Sequence, residues 1–184
     1  MSTTATTTPT VTTWNIDPAH SHVEFAVKHL MIATVKGRFA VVRGTVTTDE
    51  ADPAKGQANI EIDADSIDTR EPQRDTHLKS ADFFEVEKFP RITFRSTRVT
   101  FVEGDRFKLI GDLTIRGITR EVTLDVTSEG RGKDPWGGER AGFSATGKIK
   151  RSEFGLTWNQ VLETGGFVVG DDIRVSLEVE LVKQ

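Results

Sequence analysis

Between Trp14 and Leu181 apolar side chains recur at every second position in run after run, and this alternation restricts the chain to amphipathic strands around a shared interior. Val23, Phe25 and Val27 alternate with His22, Glu24, Ala26 and Lys28. Ala58, Ile60, Ile62 and Ala64 alternate with Asn59, Glu61 and Asp63. Phe107, Leu109, Gly111, Leu113 and Ile115 hold one face, and Val122, Leu124 and Val126 follow after the Arg116-Gly117-Ile118 reversal. Ala141, Phe143, Ala145, Gly147 and Ile149 share a side of the run 140–150, and Ile173 to Leu181 alternates without a miss. Two runs change parity internally. The run 39–46 does so near Val41 and Val42, and the run 92–102 does so around Ser96 to Arg98, so both are expected to carry β-bulges.

These eight runs follow one another in hairpin-compatible order, which predicts an all-β antiparallel architecture. A closed eight-stranded barrel is favoured over a sandwich, because closure removes exposed edges and eight strands enclose room for side chains or one ligand. The sandwich remains the alternative. The length of 184 residues suits a single domain over 14–184. The first 13 residues include eight Thr and lack both a basic and an apolar segment, so they read as a disordered leader rather than a secretory signal, and the expected location is cytoplasmic.

Two segments break the alternation. Residues 65–91 form a connection too long for a plain loop, with Asp75 expected to cap a short helix through His77, Leu78 and Ala81 to about Phe84 before Pro90 restores extended backbone. Residues 152–171 carry Phe154, Leu156, Trp158, Val161, Leu162, Phe167 and Val168 among four glycines. A polar surface loop has no use for such residues, and folding over a barrel mouth would bury them.

Composition narrows the chemistry. There is no cysteine, which excludes disulfides, thiolate metal sites and a cysteine nucleophile. A net charge of −4 disfavours an extended nucleic-acid footprint, and no apolar run approaches the length of a membrane-spanning helix. His20, His22, His29 and His77 offer a conceivable divalent-cation set, but no carboxylate stands at a recognised ligand spacing, and hydrogen-bonding histidines are the simpler reading. Neither a Gly-x-Ser-x-Gly elbow nor a phosphate-binding glycine pattern is present. The aromatic set is 11 Phe and 3 Trp with no Tyr. Phenylalanines on the inward parities, interleaved with Ala58, Ala145, Gly111 and Gly147, fit either a packed core or the wall of an apolar lumen.

Several segments together resemble the YceI family of lipocalin-like polyisoprenoid-binding proteins. They are Asp17 with His20-Ser21-His22, Phe25 and His29; Gly37-Arg38-Phe39; Asp68-Thr69 with Arg74-Asp75 and the run His77 to Phe84; and Phe89-Pro90 with Ile92-Thr93-Phe94. They continue with Gly111 to Ile115 and Gly117-Ile118-Thr119, Asp134-Pro135-Trp136-Gly137 through Arg140 to Phe143, and Arg151 with Phe154-Gly155, spanning about residues 14–182. The resemblance implies an eight-stranded lipocalin-like barrel with a helix in the long connection, and a pore for a polyisoprenoid or isoprenoid quinone, bound without catalysis, cofactor or metal.

On that basis Phe25, Phe39, Phe94, Leu113, Phe143 and Phe154 are expected in the pore wall. Asp75, His77, Leu78, Phe83 and Phe84 are expected at its mouth, where His29 and Arg74 would meet a polar head group. An enzyme or metal-dependent stress protein using the same cavity and histidines is the rival reading. A homodimer is compatible with either.

Overall fold

The computed structural model describes residues 10–184. Eleven strands follow in chain order: β1 (Val11–Ile16), β2 (His22–His29), β3 (Ala33–Phe39), β4 (Val42–Asp49), β5 (Gln57–Asp63), β6 (Ile67–Asp68), β7 (Arg91–Glu103), β8 (Arg106–Ile115), β9 (Ile118–Lys133), β10 (Glu139–Lys150) and β11 (Val169–Lys183). One helix, α1 (Pro72–Lys79), precedes β7.

Every ladder is antiparallel, and the sheet closes because β1 pairs with both β4 and β11: Trp14 faces Val46 on one side and Lys183 on the other. Three pairs of short strands, β1 with β2, β3 with β4 and β5 with β6, are single runs interrupted by a kink. The architecture is therefore an eight-stranded antiparallel barrel of the lipocalin-like kind.

The kinks have side-chain causes. Phe39 and Val42 both point inward although three positions apart, so Ala40 and Val41 bulge outward between them. The Ser66 hydroxyl accepts the Val41 N–H at 3.1 Å, and its backbone oxygen accepts the Ala40 N–H at 3.2 Å. The second expected bulge lies between Ser96 and Arg98 in β7. There the Ala58 N–H, left beyond the β5–β7 ladder, bonds the Ser96 hydroxyl at 2.8 Å. Both devices satisfy backbone donors that a bulge would otherwise strand.

Two expectations are corrected. Val11 to Thr13 belong to β1, paired with Thr47, Thr48 and Asp49, because the alternation extends upstream of Trp14 through a Thr-rich stretch that suits a strand; residues 1–9 of the expected leader lie outside the described residues. Helix α1 is capped by Glu71, whose carboxylate accepts from Gln73 N and Arg74 N, and it stops at Lys79 rather than near Phe84. Pro72 at its first position fixes the start, so Asp75 lies inside the first turn. Phe83 and Phe84 sit in the turns that follow.

Candidate functional site: a two-chambered interior with one covered and one open end

The inward-facing side chains leave two chambers. The narrower, about 160 Å³, is bordered only by buried and half-buried residues. Its wall includes Phe25, Phe39, Phe94 and Leu113, and its cover is made by Leu78 of α1 with Phe83 and Phe84. The wider, about 490 Å³, is lined by Phe101, Phe107 and Phe143 and reaches solvent past exposed Phe101, Gln57 and Arg131. Ile60, Leu124 and Leu177 border both chambers and form a waist between them.

Aromatic contacts divide the same way. Phe39 lies 5.7 Å from Phe25 and 5.7 Å from Phe84, while Phe107 lies 5.9 Å from Phe101 and 6.2 Å from Phe143. The phenylalanines both pack on one another and line free space. The inward glycines leave no vacancy. A Cβ at Gly111 would fall 2.6 Å from Phe94 Cζ and 2.5 Å from the Arg95 oxygen, and one at Gly147 would fall 2.7 Å from Leu124 Cδ2, so each glycine is the seat of a neighbouring side chain.

The narrow chamber's cover is braced by a strap, residues 155–168, that follows a short 3-10 turn, Arg151–Phe154. The Arg151 side chain borders the narrow chamber, yet its guanidinium is turned to backbone oxygens: Nε donates to Gly170 at 2.8 Å, Nη1 to Leu156 at 2.6 Å and Trp158 at 2.9 Å, and Nη2 to Val169 at 3.2 Å. Burial pushes its pKa down from the ordinary arginine value, with Asp171 acting in the opposite direction. The carbonyls take the place of water around the cation, and the chamber wall stays hydrocarbon. Cover and strap meet at His77, whose ring lies edge-on to Trp158 at 4.8 Å and Phe83 at 5.1 Å and bonds Asp82 at 2.8 Å.

Of the expected wall residues, Phe25, Phe39, Phe94 and Leu113 border the narrow chamber and Phe143 the wide one. Phe154 borders neither: it is fully buried in the packing beneath the strap. Leu78, Phe83 and Phe84 cover the narrow end instead of ringing an open mouth, because their apolar surface turns inward under α1.

The polar mouth residues do not reach the chambers. Arg74 and Asp75 both grip Thr69, Arg74 through the hydroxyl at 2.8 Å and the backbone oxygen at 2.9 Å, and Asp75 by accepting from the hydroxyl at 2.6 Å. His29 closes β2 opposite Val169, and His77 serves the cover–strap contact. The sequence signal that was missed is Phe101, whose position on the β7 parity after the bulge places it on the open rim.

The histidine constellation also resolves. His20 joins Asp17 at 2.9 Å and approaches Glu180 at 4.0 Å, while His22 stands exposed on the outer face. Arg140 donates to Asp17 at 2.8 Å, to Asp134 at 3.0 Å and to Glu180, so a guanidinium already occupies the space a cation would take between the Asp17 and Glu180 carboxylates. The His20 and Arg140 bonds hold the Asp17 carboxyl down at about 2, and Asp17, followed by Glu180, raises His20. The arrangement is a clasp joining the β1–β2 corner to β10 and β11.

A closed antiparallel barrel with a largely apolar interior and one covered end defines the class of lipocalin-like barrels. Within it the chain belongs to the YceI-like domain family, which matches residues 14–181. Protein YceI of Salmonella newport is 46% identical over 138 residues, covering 75% of this chain and 72% of that protein. A Campylobacter jejuni YCEI structure superposes with TM-score 0.73 at 34% identity, covering 85% of this chain and 90% of that one. Burkholderia cenocepacia BcnA superposes with TM-score 0.78 at 26% identity over 90% and 98% of the two chains. A polyisoprenoid-binding domain from Saccharophagus degradans shares the fold at TM-score 0.65 and 16% identity, over 93% and 98%.

Proposed function

We propose that this barrel binds a long isoprenoid chain, as a polyisoprenoid or an isoprenoid quinone, and carries or sequesters it without chemically changing it. The observation that carries the reading is the pair of chambers that share Ile60, Leu124 and Leu177: the narrow one is walled by hydrocarbon with the buried Arg151 guanidinium turned to backbone oxygens, and the wide one is mostly apolar but also bordered by Thr47, Thr48, Asp49, Gln57, Ser128 and Arg131. A methyl-branched alkene chain presents no polar group needing a partner, so the narrow chamber and the apolar side of the wide one match it, and each buried methylene contributes about 0.8 kcal/mol. Phe25, Phe39, Phe94, Leu113 and Phe143 would contact the chain. A head group would rest at the open rim, near Arg131 and Phe101, since the residues expected to meet it at the other end are engaged elsewhere. Family membership and the name of the Saccharophagus domain support the choice of cargo.

Native mass spectrometry of gently purified protein, with organic extraction, tests the proposal. A stoichiometric prenyl lipid is expected. Protein that emerges empty and also takes up neither a polyprenol nor a prenylated quinone from ethanol would overturn it. We further propose a cytoplasmic location, which cell fractionation tests: recovery of the protein outside the cytoplasmic fraction would overturn it.

A further inference from the structure

The β2–β3 connection puts three large apolar residues at the tip of a hairpin: Leu30, Met31 and Ile32, the last two 67% and 84% exposed. Leu30 and Met31 hold φ of +52° and +61°, a region in which asparagine and glycine are the favoured hairpin residues. The strap extends this tip into a patch. Leu30 N donates to the Val168 oxygen at 2.8 Å, Met31 packs on Gly166, and the strap's exposed Val161 and Phe167 pair with each other.

Below the tip, the outer face of the barrel carries a cluster of cations. Lys28 is two residues from Leu30, roughly 7 Å along the strand. One level further down, Lys148, Arg174, Ala26 and Lys36 lie side by side across β10, β11, β2 and β3. Lys148 is paired with Asp172, whereas Lys28, Lys36 and Arg174 have no acidic partner within 4.0 Å among the described residues. Of the acids nearby, Asp172 is paired with Lys148 and Lys150, while Asp171, bonded to the neutral Ser152 hydroxyl, Glu24 across the ladder from Arg38, and Glu153 and Glu163 keep their charge. The opposite rim also exposes Phe101 and Val102, with Glu50 and Asp105, the pair Glu103–Arg106, and Arg131 around them.

We infer that the hairpin tip and strap form a docking surface for an anionic lipid bilayer, with Leu30, Met31, Ile32, Val161 and Phe167 entering the interface and Lys28, Lys36 and Arg174 meeting the headgroups. The charge complementarity selects the occupant: an apolar tip sinking 5–10 Å or so brings Lys28 to headgroup depth and Lys36 and Arg174 within a Debye length of the surface. The inference rests on the lipid-cargo reading, because a prenyl chain must leave a membrane to reach the barrel. The surface that docks includes the strap that braces the cover of the narrow chamber.

Flotation of the whole chain with phosphatidylcholine vesicles, alone or containing phosphatidylglycerol, tests docking without any prenyl cargo. Binding is expected only with phosphatidylglycerol, falling about fivefold for each of Lys28→Gln, Lys36→Gln and Arg174→Gln and weakening with salt. The variant Leu30→Asn with Met31→Gly supplies residues suited to the turn while removing apolar surface, so it should fold at least as stably and bind at least tenfold more weakly. Absence of binding, binding unaffected by either set of variants, or sedimentation showing the patch buried in a dimer would overturn the inference. Cargo uptake from ethanol is scored separately, so loss of docking with retained uptake leaves the cargo reading standing, and the converse result rejects that reading alone.

Discussion

Arg151 shows how one residue reconciles an apolar chamber with a necessary charge. Its guanidinium gathers carbonyls from Leu156, Trp158, Val169 and Gly170, thereby fixing both ends of the strap against β11. Arg151→Met keeps the buried length but strands those oxygens, and a loss of about 3 kcal/mol in urea unfolding is expected. The Asp17–His20–Arg140 clasp makes a second residue-scale prediction. Asp17 has a folded pKa of about 2 against an ordinary 3.8, so its contribution to stability is present above pH 3.8 and is lost as pH falls toward 2. His20 is raised from 6.5, so its contribution is full below that value and is lost as pH rises through its folded pKa. Urea midpoints measured across pH should therefore decline at both limits. Asp17→Asn should remove the acid-side contribution and flatten the change on the basic side, since Asp17 is the chief cause of the His20 shift.

At the scale of elements, the cover and strap depend on each other through His77, Phe83 and Trp158. Trp158→Ala removes the ring against which the other two rest, at a cost of about 3 kcal/mol. Hydrogen exchange should show the loss of protection concentrated in residues 155–170 and α1, with the β7–β10 meander unchanged. Exchange accelerated evenly over the barrel would refute this local coupling. The strands were legible because a half-buried strand repeats every two residues, and the bulges at Val41 and Ser96 showed as slips in that parity. The helix of the cover was legible from its capping and proline signals, whereas the strap was legible only as excess hydrophobicity. Sequence has no periodic signal for which carbonyl Arg151 will seek, or for Arg74 and Asp75 turning to Thr69 instead of a ligand, because such contacts join segments through tertiary packing. Phe154 was misread for the same reason: an inward apolar residue is equally suited to core and cavity wall, and only the placement of the strap decides between them.

The molecule as a whole has an interior whose two chambers meet at a waist, and the waist makes chain length an experimental variable. Ile60, half-buried, faces both chambers from β5. Ile60→Trp would fill the passage between them, at an overpacking cost of about 1–3 kcal/mol that a 184-residue barrel of ordinary stability tolerates. On the proposed reading, a prenyl chain bound to the parent protein at a hundredfold its Kd would add about 2.7 kcal/mol of stability and raise Tm by roughly 5–10 °C for a chain of this size. A long polyprenol needs both chambers and should lose most of that rise in the variant. A short prenyl alcohol needs one chamber and should keep it. The contrast between the two ligands within one variant cancels the cost of the substitution itself, so equal losses for both would show that the chambers do not act as one continuous pore.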